Sequence, residues 1–276
     1  MFVKRLISGI VLVFLIGFAF AYGGLFLGAL LLAVSLIGYF ELVKALCAET
    51  EKRSLNGPDV IAAVSIVLYY VAVVFTSDIT LLILAIGGFI LMELVWFVLK
   101  FPHYSSDRIV RTVFSVLYCP VMLSFIYMLR NLEGREFLVW VVLIASWGCD
   151  TLAYCSGITL GKHHPFPELS PKKSTEGCIG GIIGSALLGL VFGLLYVKRF
   201  MPDQFVEWKL AIICGVGALM GMVGDLAASG IKRNNKIKDF GYIIPGHGGV
   251  MDRFDSMILC APAAYILTYL LVASTQ

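Results

Sequence analysis

The chain has 276 residues, 59% of them hydrophobic and only 14% charged, with a formal net charge of +3. Soluble domains carry about a quarter charged residues. This composition therefore excludes an ordinary water-soluble enzyme or binding module and points to an all-α, polytopic membrane protein.

The apolar runs predict about nine helices in chain order, near 6–22, 24–46, 58–76, 79–99, 109–129, 137–157, 178–197, 209–230 and 254–273. Each is close to the roughly 20 residues that a span requires. Met1 to Arg5 is a short basic start. No small-residue cleavage site followed by a polar segment comes after it, so the first run is read as a retained helix and not a removed signal. Turn-forming residues separate the runs, among them Gly23-Gly24 and Asn56-Gly57-Pro58. No strand-like alternation competes, and only helices or closed barrels can pair every backbone polar group inside hydrocarbon. The seven cysteines lie mostly within the apolar runs without metal-finger spacing, and are read as small core residues. Residues 1–130 form an N-terminal group of helices, expected to be scaffold and lipid-facing. Residues 131–276 form a C-terminal catalytic region with two polar loops, 161–177 and 231–253.

An odd span count with the N-terminus in the cytoplasm puts sixteen of the 21 basic residues on the cytoplasmic side. The positive-inside rule favours that orientation, with the C-terminus outside. Both polar loops then face the cytoplasm, in a cell membrane.

Three polar clusters lie at the cytoplasmic ends of late spans. Asp225 is inside the eighth run, with Ser229 one turn on and Lys232 and Arg233 beyond it, a stripe leading to the surface. Asp252 and Asp255 open the ninth run at i, i+3 on one helix face, beside Gly246, His247, Gly248 and Gly249. Such a glycine turn allows close backbone approach and has the makings of an anion-binding nest. Asp150 lies near the cytoplasmic end of the sixth run. Intramembrane carboxylates are costly and mark functional sites. Hard oxygen ligands in this number suit Mg²⁺. Around them lie Lys172, Lys173, Lys232, Arg233, Lys236, Lys238 and Arg253, so the set describes a metal–polyphosphate site. No P-loop is present. His103, His163 and His164 are read as surface residues.

At Ser229–Ser256, "SGIKRNNKIKDFGYIIPGHGGVMDRFDS" closely resembles the signature of the phosphatidate cytidylyltransferases, or CDP-diacylglycerol synthases. Ser229, Lys232, Arg233, Lys238, Asp239, Pro245, Gly246, His247, Gly248, Gly249, Asp252, Arg253 and Asp255 match its specified positions. The loop "GKHHPFPELSPKKSTEGCIGG" resembles a second family motif, with Ser174 where threonine is usual. Two positions depart from the pattern: Ala228 replaces a usual glutamate, which bears on a second cation site, and Ile158 replaces a frequent basic residue.

The resemblance implies transfer of the cytidylyl group of CTP to phosphatidate with Mg²⁺ as cofactor, and a homodimer. No nucleic-acid partner is expected. It implies Asp225, Asp252 and Asp255 as metal ligands assisted by Asp150. Lys172, Lys173, Lys232, Lys238 and Arg253 would bind substrate phosphates, and Ser170, Ser229, Arg233 and the Gly246–Gly249 turn, including His247, would line the site. A catalytically weakened homologue and a cation-coupled transporter are the alternatives, although no internal repeat supports a transporter.

Overall fold

A computed structural model describes residues 2–47, 56–76, 78–201, 206–244, 246 and 248–273. Among the described residues nine helices follow one another: α1 (Phe2–Tyr22), α2 (Gly24–Leu46), α3 (Gly57–Phe75), α4 (Ile79–Lys100), α5 (Ser106–Arg130), α6 (Glu136–Leu160), α7 (Thr175–Arg199), α8 (Val206–Asn234) and α9 (Met251–Val272). Eight are long and apolar enough to cross a membrane, and α1 adds a shorter apolar stretch, Ile7–Tyr22. The nine predicted runs are all recovered, with ends shifted by a few residues. Among the described residues the one sheet-like contact is a single bridge between Ile244 and Gly248.

Local chemistry sets the helix starts. Gly23 and Gly24 both take positive φ, 69° and 52°, which lets α1 turn directly into α2. Asn56 and Asp59 form a capping box at the start of α3, with Pro58 in its first turn. Asp78 caps α4, accepting from Thr80 N at 2.8 Å. Ser105 and Ser174 cap α5 and α7 in the same way.

Three helices carry a π-helical turn, and the one that closes α9 covers Tyr269–Ala273. In α5 the turn covers Leu117–Val121 around Pro120, which has no N–H to give the ladder. The Pro120 carbonyl accepts from Tyr70 Oη at 3.1 Å, a tie from α3 to this turn. In α6 the turn covers Ile144–Gly148, and Ser185 Oγ donates to the Ile144 carbonyl at 2.9 Å. This second turn ends just before Asp150.

The chain divides into two compact units. Unit 1 comprises residues 1–128 and 234–253, and unit 2 comprises 129–233 and 254–276. The segment 234–253 thus groups with the N-terminal helices, whereas the sequence placed it in the C-terminal region. None of the seven cysteines is in a disulfide, and five are buried.

Unit 1 has a polar core. Arg108 donates to both oxygens of Asp59 at 2.7 Å, and Tyr39 Oη donates to Asp59 at 3.3 Å. Glu93 on α4 is fully buried within electrostatic reach of this pair, and neither of its oxygens has a hydrogen-bond partner among the described residues. Breaking a buried ion pair leaves an uncompensated charge. We therefore expect Arg108→Leu to destabilise the protein by about 3–5 kcal/mol. Glu93→Leu removes the one carboxylate of this group that lacks hydrogen bonds, and is expected to be neutral or stabilising. Thermal unfolding in detergent measures both, and equal losses would refute the asymmetry.

Candidate active site

In unit 2, small residues let the helices approach. Gly217, Gly221 and Gly224 line the face of α8 that meets α6 and α9; a Cβ at Gly224 would fall 2.6 Å from the Asp255 carbonyl. That close packing brings Asp225 of α8 near Asp255 of α9. Asp255 is within electrostatic reach of Asp225, Lys232 and Asp150. Ser256 Oγ donates to Asp150 Oδ2 at 3.4 Å, and Ser256 N donates to Asp255 Oδ1 at 2.9 Å.

The loop before α7 delivers a cation to this group. Glu176 accepts from the backbone N–H groups of Lys162 and His163, and pairs with the His163 ring at 2.6 Å. Thr175 N donates to the His163 carbonyl at 2.8 Å, and Lys173 N to the Ser170 carbonyl at 3.1 Å. These bonds hold the loop closed on itself. Lys173 Nζ then meets Asp225 Oδ2 at 2.7 Å, with both side chains mostly buried.

In unit 1, the glycine turn is organised by two carboxylates. Asp252 Oδ2 accepts from Gly249 N at 3.0 Å and Phe240 N at 2.9 Å. Glu41 of α2 accepts from Val250 N at 3.1 Å and Met251 N at 2.8 Å, capping α9. Three successive N–H groups, at 249, 250 and 251, therefore point at the protein's own carboxylates. Gly246 and Gly248 have positive φ, 79° and 86°, as a tight turn requires. Gly241 and Gly249 are needed for space, since a Cβ at either would meet the Glu41 carboxylate.

Asp150, Asp225, Asp255, Lys173 and Lys232, all expected at the site, come together in unit 2. Ser229 is half-buried on α8, between Asp225 and Lys232. Ser170 contributes backbone bonds to the loop, while Lys172 and Arg233 are exposed. Asp252, Gly248 and Gly249 come together in unit 1, with Arg253 half-buried beside them in sequence and Lys238 exposed. His247 lies outside the described residues. Ala228, where the family usually has glutamate, is fully buried. His163 and His164 are exposed, as expected, although both brace the loop through ring nitrogens. Glu41 was missed. Its signal was a lone carboxylate in an apolar run, which is expensive unless it is paired.

Among the described residues, no three His, Cys, Asp or Glu side chains stand close enough to surround a metal ion. The donor chemistry nonetheless fits a hard cation. Asp225 and Asp255 are carboxylates held near one another, and at Asp225 the Lys173 ammonium already takes a cation's position.

An all-α membrane protein with carboxylates and lysines gathered at the ends of its late helices is the class this geometry defines. Residues 3–271 match the model of the cytidylyltransferase family, and the chain belongs to that family. It is 32% identical over 243 residues to a phosphatidate cytidylyltransferase of Staphylococcus saprophyticus, covering 87% of this chain and 90% of that one. A phosphatidate cytidylyltransferase of Staphylococcus haemolyticus is 32% identical over 252 residues, covering 88% and 94%. One of Staphylococcus aureus is 40% identical over 153 residues, covering 55% and 56%.

Proposed function

We propose that the protein transfers the cytidylyl group of CTP to phosphatidate, giving CDP-diacylglycerol and pyrophosphate, for phospholipid biosynthesis at the cytoplasmic face of the cell membrane. The observation that carries this reading is the gathering of Asp150, Asp225, Asp255, Lys173 and Lys232 in unit 2, in a chain whose family match runs almost from end to end. That match does not favour the transporter or the weakened homologue.

In the reaction, a phosphate oxygen of phosphatidate attacks the α-phosphorus of CTP. The new O–P bond forms as the bond to the β-phosphate bridging oxygen breaks, and pyrophosphate leaves. The attacking phosphate is already anionic, so no strong general base is required. The protein's work is positioning and charge stabilisation. Lys173 and Lys232 neutralise phosphate charge, supported by Lys172 from the same unit. Asp252 shapes the turn through Gly249 and Phe240. Mg²⁺, held by Asp225 and Asp255 with Asp150 in support, would draw charge from the phosphates and make the α-phosphorus more electrophilic. A lipid phosphate lies at the bilayer surface and CTP is cytosolic, which suits a site at the cytoplasmic ends of the helices. A homodimer is part of the same expectation.

The test is the purified protein in mixed micelles with phosphatidate, Mg²⁺ and α-labelled CTP, with and without EDTA. A labelled CDP-lipid that disappears with EDTA and returns with added Mg²⁺ is the expected result. No lipid product under any metal condition would sink the assignment.

A further inference from the structure

Unit 1 contains an apolar groove of about 560 Å³, lined by Ile7, Ser8, Val11, Leu12 and Leu15 of α1 and by Ile243 and Ile244. We propose that this groove holds an acyl chain of the lipid substrate, so that α1 and the Ile243–Ile244 wall set chain-length selectivity. The proposal rests on the cytidylyltransfer reading and deepens it.

The two walls have different origins, and each points to the same occupant. On α1, Ile7, Val11 and Leu15 recur every four residues, forming one face over two turns. Ile7 and Val11 belong to the half of α1 nearest the N-terminus, which the expected orientation puts in the cytoplasmic leaflet, and Leu15 lies just past the middle of the helix. The other wall belongs to the most polar segment of the chain, yet Tyr242 is 83% exposed and Ile243 is 59% exposed. Apolar side chains turned outward in a polar loop are unfavourable in water, and adjoining patches of this kind mark lipid or ligand contacts.

Continuity with the glycine turn of the signature, in the same unit, points to the lipid substrate. Ile244 N donates to the Gly248 carbonyl at 2.9 Å, so the groove wall and the glycine turn are one structure. Gly249, next in the chain, donates to Asp252 at 3.0 Å. One wall of the groove therefore lies within the signature segment itself. A substrate with phosphate and acyl chains covalently joined needs polar and apolar surfaces in this succession. The apolar hollow between α7 and α8, lined by Ile182, Trp208 and Leu219, adjoins no such turn.

Leu12→Trp and Ile244→Trp each fill the groove from a different wall. Full-length protein in mixed micelles is assayed with dioleoyl and dioctanoyl phosphatidate. Loss of contact with about two methylenes lowers kcat/KM about tenfold. We expect both variants to lower the dioleoyl-to-dioctanoyl ratio of kcat/KM by about that factor, with KM for CTP unchanged. A phosphatidate bearing a photoreactive group on its acyl chain should label residues 7–15 or 243–244. Added phosphatidate should compete for that labelling and phosphatidylcholine should not. An unaltered chain-length ratio in both variants overturns the proposal. So does labelling that either lipid competes equally, since the groove then holds bulk bilayer lipid. If the wild-type protein makes no CDP-lipid, the reaction assignment has failed, and the labelling competition alone decides whether the groove selects phosphatidate.

Discussion

Asp255→Asn is expected to lower kcat for CDP-lipid formation by about a hundred- to a thousandfold while the protein still inserts and purifies. Asparagine has nearly the shape of aspartate, and it keeps an oxygen for the Ser256 N–H bond. What it removes is one negative charge from a group where Asp225, Asp150 and Lys232 all lie within electrostatic reach. Less mutual repulsion should leave the fold as stable as before, or more so. On the proposed reading, that charge would hold a cation against the phosphates. Asp225→Asn should behave alike, with one difference: it also releases Lys173 from its 2.7 Å pair. The assay is transfer of label from α-labelled CTP across a Mg²⁺ series, alongside thermal unfolding in detergent. Near-normal turnover in Asp255→Asn would refute the metal role of this carboxylate.

The second large effect lies at Glu41. Glu41→Ala removes the acceptor for Val250 N and Met251 N, both buried. Each stranded donor costs about 1–3 kcal/mol. It also loosens the start of α9, where Asp252 gathers Gly249 and Phe240. A fall in kcat/KM of about ten- to a hundredfold is expected, as displacement of a positioned group by about 1 Å can cost that much. A structural accident would give the same loss, so the decisive measurement is a double-mutant cycle. In the wild-type background a Cβ at Gly249 would fall 2.5 Å from Glu41 Oε2. Gly249→Ala should therefore be severe alone and much milder combined with Glu41→Ala, a coupling of neighbours in contact. Strict additivity of the two losses would show that Glu41 does not set the space for the turn.

The helices were legible because each span is a long apolar run closed by turn or capping residues, and hydrocarbon leaves no alternative backbone. The unit 2 carboxylates were legible for the reason they are costly: Asp150, Asp225 and Asp255 interrupt apolar runs near their ends. The role of the glycine turn was harder to read. Three glycines before a helix look like a phosphate cradle, since helix N-termini attract anions. Here the N–H groups of 249, 250 and 251 are taken by Asp252 and Glu41, an internal supply of anions that no local pattern announces. Glu41 is 209 residues from Val250, and periodicity carries no information over such a separation. Asp59 and Glu93 were hidden likewise: the first hundred residues read as uniform scaffold, and their polar groups gain meaning only when α2, α3, α4 and α5 pack together.

The division of the chain has a consequence for biosynthesis. Unit 1 is made of residues 1–128 and 234–253, and unit 2 of 129–233 and 254–276. The two are interleaved along the chain, so neither can be completed before most of the other has been made. As the ribosome delivers the helices in order, Glu41 enters the membrane early and waits for Val250 and Met251, which emerge near the end. Residues 1–128 thus lack the rest of their unit until the signature segment emerges, and contacts of such long sequence separation form slowly. During that interval a carboxylate destined for burial must be tolerated by the insertion machinery and the lipid. Truncation before residue 250 leaves it so permanently, which makes the last stretch of the gene a determinant of whether the first helices settle.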